Sequence, residues 1–507
     1  MKNQILIVWA LLCLMAQAEA QTFSGVVYRD RNQNGVRDKG EKGVKGIPVS
    51  NGDTIVLTDK RGRYELPWLA GNSVFPVLPA GYTLAGHRVV NANFVYMEDT
   101  NNSGSGDFPL VKKPVRKQFR LNALGDIQVG NGQELDYATR TLWPELLSPE
   151  RADDVNLFLG DLVNNNLALY TDLHALMEQL PQPTWTVLGN HDRDADTVQW
   201  RQARTYSRHF GADMYAFNEG TVHFIVLNNV CPDGARGYKN HLTERQLRFV
   251  EQDLRYVPAD QLVVLSMHIP LAYTDNRDDL FRLLTGRGHV LAITAHLHHV
   301  ARFFHQYGDV SIHELGAGAT CGFWWVGERD QDGVPSALQQ GGTPRNYFVI
   351  DFDGTHYRLR CKAIGKDEHQ QMNIHVMGTD TLDNHLRELS NVPRGQLLLT
   401  VYGASDSTQV RCRLDGGEWL LCRKDSVVDP NVARARELNL QKVYPTRYSK
   451  MNPFRRIVSR QLWSLPLPEN CRQGAHTVEV EAEDRWGFHA TGRRSFCFSS
   501  VTDRRHR

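Results

Sequence analysis

Residues 184–192 read TWTVLGNHD, a β-branched and apolar run that is followed at once by a glycine and three polar side chains. Similar apolar runs lie at 119–124, 155–159, 222–228, 262–267 and 290–295. Helix-like stretches separate these runs, and strands that alternate with helices are typical of an α/β domain. We therefore predict an α/β domain over residues 113–367.

Ligand-type side chains follow five of the predicted strands. Because open α/β sheets carry their sites at the carboxyl ends of strands, we expect these side chains to converge. Carboxylates, amides and imidazoles together suit ions such as Mn, Zn or Fe. Two such ions, about 3.5 to 4 Å apart, can clamp the oxygens of a phosphoryl group during an in-line displacement. In chain order the side chains are Asp126, Gln128, Asp161, Asn190, His191, Asp192, His268, His296 and His298.

The order of these motifs, D-x-(H/Q), G-D-x-x-x-N, G-N-H-D, H-x-P and x-H-x-H, resembles that of the calcineurin-like metallophosphoesterase superfamily. The resemblance implies a four-layer α/β (α+β) sandwich and a hydrolase that holds two divalent metal ions, with a metal-bridging hydroxide attacking phosphorus. It implies that one metal takes Asp126, Gln128, Asp161 and His298, and that the other shares Asp161 and takes Asn190, His268 and His296. It also implies that His191 protonates the leaving oxygen or stabilises the transition state, and that Asp192 orients His191.

Gln128 and Ala295 depart from the pattern of that family, which usually has histidine and glycine at these places. An amide oxygen is a harder and weaker ligand than imidazole, so Gln128 favours Mn or Mg over Zn, while Fe and Zn remain open. Glutamine here also occurs in Mn-dependent enzymes that hydrolyse nucleotide-diphosphate linkages. Pyrophosphatase activity therefore stays an alternative to phosphomonoester or phosphodiester hydrolysis. If Gln128 is not a ligand, the site holds one metal or a weak pair. The methyl group of Ala295 is tolerated at negative φ.

Four further residues are candidate substrate contacts. Asn164 follows Asp161 closely, and Arg193 follows the Gly-Asn-His-Asp motif, where it either holds a phosphate or lies as a solvated charge. Residues 316–327, GAGATCGFWWVG, suggest a flexible loop that carries Trp324 and Trp325 over the mouth of the pocket. Such rings would pack against an organic substituent on the phosphate, and the alternative is an ordinary aromatic core.

The α/β region is flanked by two β-rich regions. Short alternating runs between turns predict small all-β sandwich domains at 21–112 and 368–507. Residues 30–41 fit the calcium loop D-x-N-x-N-G-x5-E, although strand-like flanks exclude an EF-hand and basic neighbours predict weak affinity. The segment resembles the prealbumin-like repeat domains of secreted surface proteins, and the alternative is an Asx-rich turn without calcium. The predicted calcium ligands are Asp30, Asn32, Asn34, Val36, Asp38 and Glu41.

The first twenty residues have the pattern of a signal peptide. Lys2 precedes an apolar run at 5–15, and Ala18-Glu19-Ala20 forms a small-x-small cleavage site. The apolar run is too short to span a bilayer, and no later run reaches about 18 apolar residues. We therefore expect an exported protein, periplasmic or extracellular and without a transmembrane segment. A lipid anchor on Cys13 is the less favoured alternative, because two leucines precede it.

The length and net charge of the chain limit the number of domains and the class of partner. A chain of 507 residues has room for about three domains of roughly 150 residues each. Lys and Arg number 58 against 57 Asp and Glu, so the net charge of +1 gives no field that attracts nucleic acid. A small molecule, such as a lipid, nucleotide or sugar phosphate, is the expected partner. The alternative from another class is a non-catalytic surface module that binds calcium or glycans.

Overall fold

The computed structural model describes residues 21–84, 89, 93–97, 106–152, 154–379, 386, 389–441, 459–468, 471 and 473–498. The predicted signal peptide lies outside the described residues.

The N-terminal part is a sandwich of two four-stranded sheets, as the alternating pattern predicts. The strands are β1 (Thr22–Arg29), β2 (Pro48–Ser50), β3 (Ile55–Leu57), β4 (Arg63–Pro67), β5 (Ser73–Pro76), β6 (Tyr82–Leu84), β7 (Val95–Tyr96) and β8 (Phe108–Lys112). One sheet has the order β4-β1-β8-β6 and the other β3-β2-β5-β7. The candidate calcium loop connects β1 to β2.

The central part contains two larger mixed sheets and a separate hairpin. The first sheet has five strands in the order β11-β10-β9-β20-β21, and the second has six in the order β12-β13-β16-β17-β19-β18; β14 and β15 form the hairpin. The strands are β9 (Gln118–Leu124), β10 (Val155–Phe158), β11 (Thr184–Thr186), β12 (Tyr215–Glu219), β13 (Val222–Val226), β14 (Val230–Asp233), β15 (Gly237–Asn240), β16 (Val263–Ser266), β17 (Val290–Thr294), β18 (Val300–Tyr307), β19 (Val310–Ala317), β20 (Asn346–Asp353) and β21 (His356–Ala363).

Helices cover these sheets and complete the α/β sandwich. Strands β10, β13, β16 and β17 are buried along their whole length, as expected for strands covered on both faces. The helix Gly132–Thr141 begins at the side-chain cap Asn131, and the helix Glu244–Asp253 begins at a capping box that Thr243 and Gln246 form. The helices are α1 (Gly132–Thr141), α2 (Trp143–Leu146), α3 (Tyr170–Met177), α4 (Gln199–Gln202), α5 (Arg204–Phe210), α6 (Glu244–Asp253), α7 (Arg277–Leu283) and, in the C-terminal part, α8 (Pro430–Leu440).

The C-terminal part is a second β-sandwich, which confirms the predicted all-β character, and it also contains one helix that the alternating pattern does not predict. Its sheets have the orders β22-β23-β27-β26 and β25-β24-β28-β29. Cys412 and Cys422 do not form a disulfide, and their buried thiols interact although Cys412 lies opposite Leu420 in the strand register. The strands are β22 (Met372–Val376), β23 (Gln396–Val401), β24 (Gln409–Leu414), β25 (Leu420–Leu421), β26 (Arg423–Lys424), β27 (Leu462–Pro466), β28 (Gly474–Glu483) and β29 (His489–Phe498).

Both flanking sandwiches pack on the central part. Asp53 of the first sandwich forms an ion pair of 2.7 Å with Arg248 on α6, and Phe75 contacts Phe249 at a centroid distance of 5.9 Å. The second sandwich inserts Asp484 against Arg302 on β18 in a fully buried ion pair. None of the helices in the described parts of the chain combines the length and apolar character needed to cross a membrane.

Candidate metal centre

The ligand-type side chains come from the carboxyl ends of five strands in two different sheets. In the five-stranded sheet, Asp126, Asp161 and Asn190 follow the parallel strands β9, β10 and β11. In the six-stranded sheet, His268 follows β16, and His296 and His298 follow β17, which runs parallel to it. Because these edges of the two sheets face each other, residues far apart in sequence meet at one place.

Strained backbone turns aim these side chains at one another. Asp126, Asp161 and His296 have φ values of 40°, 49° and 71°, in a left-handed region that is costly for residues with a Cβ. Gly160 also has a positive φ, of 88°. Gly189 is required for a different reason. Its φ is not positive, but a Cβ at this position would overlap the backbone nitrogen and the carboxylate of Asp161.

Asp161 lies between the two halves of the site. Its Oδ2 is 3.3 Å from Nε2 of His268 and 3.5 Å from Nε2 of Gln128. On the His268 side, Nε2 of His268 is 3.1 Å from Oδ1 of Asn190 and 3.2 Å from Nδ1 of His296. One potential ligand atom from each of Asp161, His268 and His296 lies within 4.8 Å of the other two, which is close enough for a single ion to bind all three.

Asp126 and His298 form the other half. Nε2 of His298 is 3.6 Å from Oδ1 of Asp126, whose Oδ2 accepts a hydrogen bond of 3.0 Å from the backbone N–H of His296. The amide of Gln128 turns its nitrogen towards Asp161 and its oxygen towards Sγ of Cys321, at 3.8 Å. Metal ligation by the Gln128 oxygen therefore requires a half-turn of this amide.

Backbone carbonyl groups fix two of the histidine rings. Nδ1 of His268 donates to the carbonyl of Leu159, and Nδ1 of His298 donates to that of Gly322, each at 2.8 Å. A neutral imidazole with its proton on Nδ1 keeps a lone pair on Nε2. The Nε2 atoms of both rings therefore face the centre, where a bound metal ion would take the place of a proton on Nε2, the arrangement usual for histidines that bind metals.

The electrostatics of the centre favour an added positive charge. Burial raises the pKa of Asp126 well above its ordinary value, with the charge of Asp161 adding to it. Burial alone would lower the pKa of His268, but the charges of Asp161 and Asp126 raise it to about 9. Burial and the charge of His268 lower the pKa of His296 to about 3, and burial lowers that of His298 to about 4. The imidazoles of His296 and His298 are therefore neutral, and they lie beside the closely spaced carboxyl groups of Asp126 and Asp161.

One orphaned atom tests whether these residues fit a metal. Oδ1 of Asp126 is fully buried and has no hydrogen-bond partner among the described residues. Leaving a carboxylate oxygen buried and unpaired is costly unless a cation or a donor satisfies it. The donor set of carboxylate oxygens, amide oxygen and neutral imidazole nitrogens fits divalent metal ions.

Three family models match the chain in succession. Those for the N-terminal and C-terminal regions of calcineurin-like phosphoesterases match residues 31–113 and 314–489, and the calcineurin-like phosphoesterase model itself matches residues 119–300 with its ligand-bearing strands. The chain belongs to the calcineurin-like phosphoesterase family. It is a phosphate-ester hydrolase, and membership implies divalent metals at this centre.

Solved structures that are similar to this phosphoesterase are distant. A purple acid phosphatase from yellow lupin seeds is 13% identical, with 68% of this chain and 67% of that chain covered and a TM-score of 0.37. A 5'-nucleotidase from Candida albicans is 11% identical, with 46% of each chain covered and a TM-score of 0.27. No curated protein matches the chain.

His191 and Asp192 take different places in this phosphoesterase. The His191 side chain is about one-third exposed at the centre, with Nε2 4.0 Å from Oδ2 of Asp161. Asp192 is fully buried and accepts hydrogen bonds from the N–H groups of Leu162, Val163 and Gly189 at 2.9–3.1 Å. Nδ1 of the His191 ring has no hydrogen-bond partner among the described residues, so the predicted orienting bond from Asp192 is not formed, and Asp192 instead holds the loops after β10 and β11 together. Burial raises the pKa of Asp192 to about 6.

Asn164 and Arg193 were predicted to contact substrate. Asn164 is half-buried, and its side chain accepts a hydrogen bond of 3.4 Å from Asn165, so its role stays a prediction. The guanidinium of Arg193 donates to the carbonyls of Asn190, Arg236 and Gly237 at 3.0–3.2 Å and to the Gln202 side chain at 2.8 Å. With most of its donors used inside the protein, Arg193 holds the β14–β15 hairpin and is not placed as a phosphate ligand.

The aromatic segment after β19 corrects the prediction of a flexible loop. Trp325 is buried in the core and donates from Nε1 to the carbonyl of Ile127 at 3.0 Å, so it does not cover the pocket. Phe323 is buried as well. Trp324 alone is half-exposed, and its ring lies 5.3 Å from that of His298. One of the two predicted aromatic contacts therefore reaches the centre.

Two residues at the centre carry no signal in the sequence. Cys321 is fully buried, with Sγ 3.6 Å from Nδ1 of His298. Tyr238, on β15, lies against His296 with ring centroids 6.3 Å apart. Burial, followed by the charge of Asp161, raises the pKa of Tyr238. Neither belongs to a recognisable ligand motif, and only the packing of the hairpin and of the segment after β19 brings them here.

A large cavity of this phosphoesterase lies away from the metal centre. It has a volume of about 1040 Å³ and is lined by Arg116, His289, Arg358 and Trp486, at the opposite ends of the strands from the metal centre. The chemistry of the donor set, and not cavity size, therefore identifies the active site.

The candidate calcium loop is folded on itself. Buried Asp30 accepts hydrogen bonds from the N–H groups of Gln33 and Gly35, at 2.7 and 2.8 Å. Oδ2 of Asp38 accepts from the amide groups of Asn32 and Asn34, at 2.8 and 2.9 Å. Several of the expected oxygen ligands thus lie close together, and calcium binding stays a prediction.

Proposed function

We propose that this protein is an exported, dinuclear metal-dependent phosphoesterase that hydrolyses a phosphomonoester or phosphodiester. The observation that carries the proposal is the meeting of Asp126, Asp161, Asn190 and three histidines from two sheets around an unpartnered carboxylate oxygen. Asp161 supports the count of two ions, because it lies between the Gln128 side and the His268 side.

The protein's own groups divide the work. When bound, a pair of divalent cations supplies Lewis-acid activation of the phosphoryl group and of a water nucleophile. Asp161 and Asp126 hold the negative side of the centre, while His268 and His298 present Nε2 because backbone carbonyls hold their Nδ1 protons. His191, on the exposed side, donates a proton to the leaving oxygen, and its backbone N–H is anchored by Oδ1 of Asp161 at 2.8 Å.

The test of this function removes one ligand at a time. Asp161→Asn or His268→Ala should lower kcat/KM for an aryl phosphate by at least about 10³-fold, because each removes several kcal/mol of metal-dependent stabilisation. Asp260→Asn and His289→Ala, at exposed positions, are the matched controls and should retain full activity. Circular dichroism and thermal unfolding verify that each variant is folded. Unchanged activity in both ligand variants would refute the site.

We propose Mn as the preferred metal, on the basis of the amide at position 128. Gln128→His should shift activation from Mn towards Zn, because imidazole is the softer ligand. Activity of metal-free protein is measured after addition of each ion in turn. If Zn already activates the parent best, this account of Gln128 is wrong.

A panel of phosphate esters distinguishes the possible substrate classes. Aryl phosphates and bis(aryl) phosphates distinguish monoesterase from diesterase activity, and nucleotide diphosphate compounds test the pyrophosphatase alternative. A protein that retains two metals but hydrolyses none of them would instead support a non-catalytic binding module.

Export, calcium and the domain boundaries at 112 and 367 are further parts of the proposal. The pattern of residues 1–20 supports export. The clustered side chains of residues 30–41 support a weak calcium site. N-terminal sequencing of exported protein tests export, and calorimetric titration with Ca²⁺ tests calcium binding. Limited proteolysis tests the domain boundaries.

A further inference from the structure

A hairpin outside both central sheets forms one wall of the metal centre. Strands β14 and β15 pair only with each other among the described strands, with Tyr238 opposite Pro232. The Tyr238 ring meets the ring of His296 edge to face, with an interplanar angle of 86°. Tyr238 is half-buried, so the ring is held by the protein while part of it remains open to a ligand.

Arg193 fixes this hairpin in place. Its guanidinium carbon lies 5.2 Å from the centroid of the Tyr238 ring, and its N–H groups bind the carbonyls of Arg236 and Gly237. Its Nε also binds the carbonyl of Asn190 at 3.0 Å. One side chain therefore couples the hairpin to the loop that carries a candidate metal ligand, so that Tyr238 is pre-organised at the centre.

The hydroxyl group of Tyr238 is available for a ligand. It has no hydrogen-bond partner among the described residues, in contrast to Tyr170 and Tyr215, whose hydroxyl groups donate to Asp192 and to the carbonyl of Thr186. A phenol is a good hydrogen-bond donor to an anionic oxygen. A non-bridging phosphoryl oxygen at the centre is the acceptor of suitable charge.

We propose that Tyr238 is a substrate-binding residue that donates a hydrogen bond to the phosphoryl group, and that Arg193 is the positioning residue of the hairpin that carries it. This inference rests on the proposed function. It adds a ligand for the phosphoryl group itself, which all substrates of the enzyme share, and not for a particular organic substituent.

The test separates the hydroxyl group from the ring. With the metal-loaded enzyme, Tyr238→Phe should lower kcat/KM for an aryl phosphate about 10-fold or more, since hydrogen bonds to charged groups contribute on this scale. It should weaken competitive inhibition by inorganic phosphate similarly, because phosphate has no organic substituent. Tyr256→Phe, at an exposed tyrosine, is the matched control and should change neither value.

Each outcome has one meaning. If Tyr238→Phe changes both values by less than about 2-fold while Tyr238→Ala lowers activity, the ring only packs, and the inference is overturned. Arg193→Lys should show the same weakening of phosphate inhibition as Tyr238→Phe, and full phosphate affinity in that variant would overturn the positioning role. If the parent neither hydrolyses esters nor binds phosphate, the proposed function itself has failed.

Discussion

Removing the carboxylate of Asp484 tests how the C-terminal sandwich is held on the catalytic core. Asp484 receives hydrogen bonds from both terminal nitrogens of Arg302 at 2.6 and 3.3 Å, from Thr408 at 2.9 Å and from the N–H of Trp486 at 2.8 Å. Neither side chain of the Arg302–Asp484 pair is exposed at all. Asp484→Ala therefore leaves a guanidinium buried without its counter-ion.

The magnitude follows from that burial. Breaking a buried ion pair by removing one partner costs about 3–5 kcal/mol, because the remaining charge stays desolvated. Arg302 keeps a bond to His313 at 2.9 Å and a long one to the carbonyl of Gly403 at 3.4 Å, and neither neutralises it. At about 2–4 °C per kcal/mol for a unit of 150–250 residues, the transition that involves this interface should fall by about 6–20 °C.

Scanning calorimetry with tryptophan fluorescence gives the measurement, because Trp486 lies at this interface with its ring 5.3 Å from that of Phe304. Glu483→Ala, at the exposed neighbouring carboxylate, is the control and should shift the transition by less than about 2 °C. The double variant Arg302→Met, Asp484→Leu should recover most of the loss, because it removes both charges. A shift for Asp484→Ala no larger than the control would refute the reasoning.

Two more predictions follow from buried groups. His313 accepts from Arg302 and bonds Tyr357, and burial, then the charge of Arg302, hold its pKa well below 6.5. Because only the unfolded chain takes up this proton, the free energy of unfolding should fall by up to about 1.4 kcal/mol per pH unit below pH 6.5. His313→Gln should lose that slope in denaturant titrations at pH 7.5 and 5.5, and an equal slope in both proteins would contradict the assignment. Gly189→Ala should displace Asp161 and reduce metal binding in a metal-content assay, whereas Gly132→Ala, in open space, should not; normal metal content in both would show that the close approach at Gly189 is unimportant.

The strands and the position of the candidate ligands at strand ends could be predicted because both depend on local patterns. Each apolar run predicts a buried strand, and each polar side chain directly after it must appear at that strand's end. The predicted run 155–159, for example, became β10 (Val155–Phe158) with Asp161 just beyond it. That the ligands come from two facing sheets follows only from the resemblance to a family and not from the motifs themselves.

Side-chain direction within the motifs could not be predicted in the same way. His191 and Asp192 are adjacent in sequence, yet the first faces the centre and the second faces the buried loops behind it. Trp324 and Trp325 both have a φ of 54°, a conformation that the glycine-rich pattern does not reveal, and only one of them reaches the centre. Such outcomes depend on positive φ values and on packing, which the residue types alone leave open.

Tertiary placement accounts for the other omissions. Tyr238 reaches the centre because Arg193, which lies far earlier in the chain, holds its hairpin there. Helix α8 did have a local signal, since Asp429 caps it and Pro430 begins it, but it lies within a region of strand-like runs.

Anomalous diffraction from crystals of the Mn-loaded protein tests the central claim most directly. We predict two metal peaks about 3.5 to 4 Å apart, with Asp161 between them, Asp126, Gln128 and His298 on one and Asn190, His268 and His296 on the other. A single peak, or metal bound away from Asp161, would contradict it.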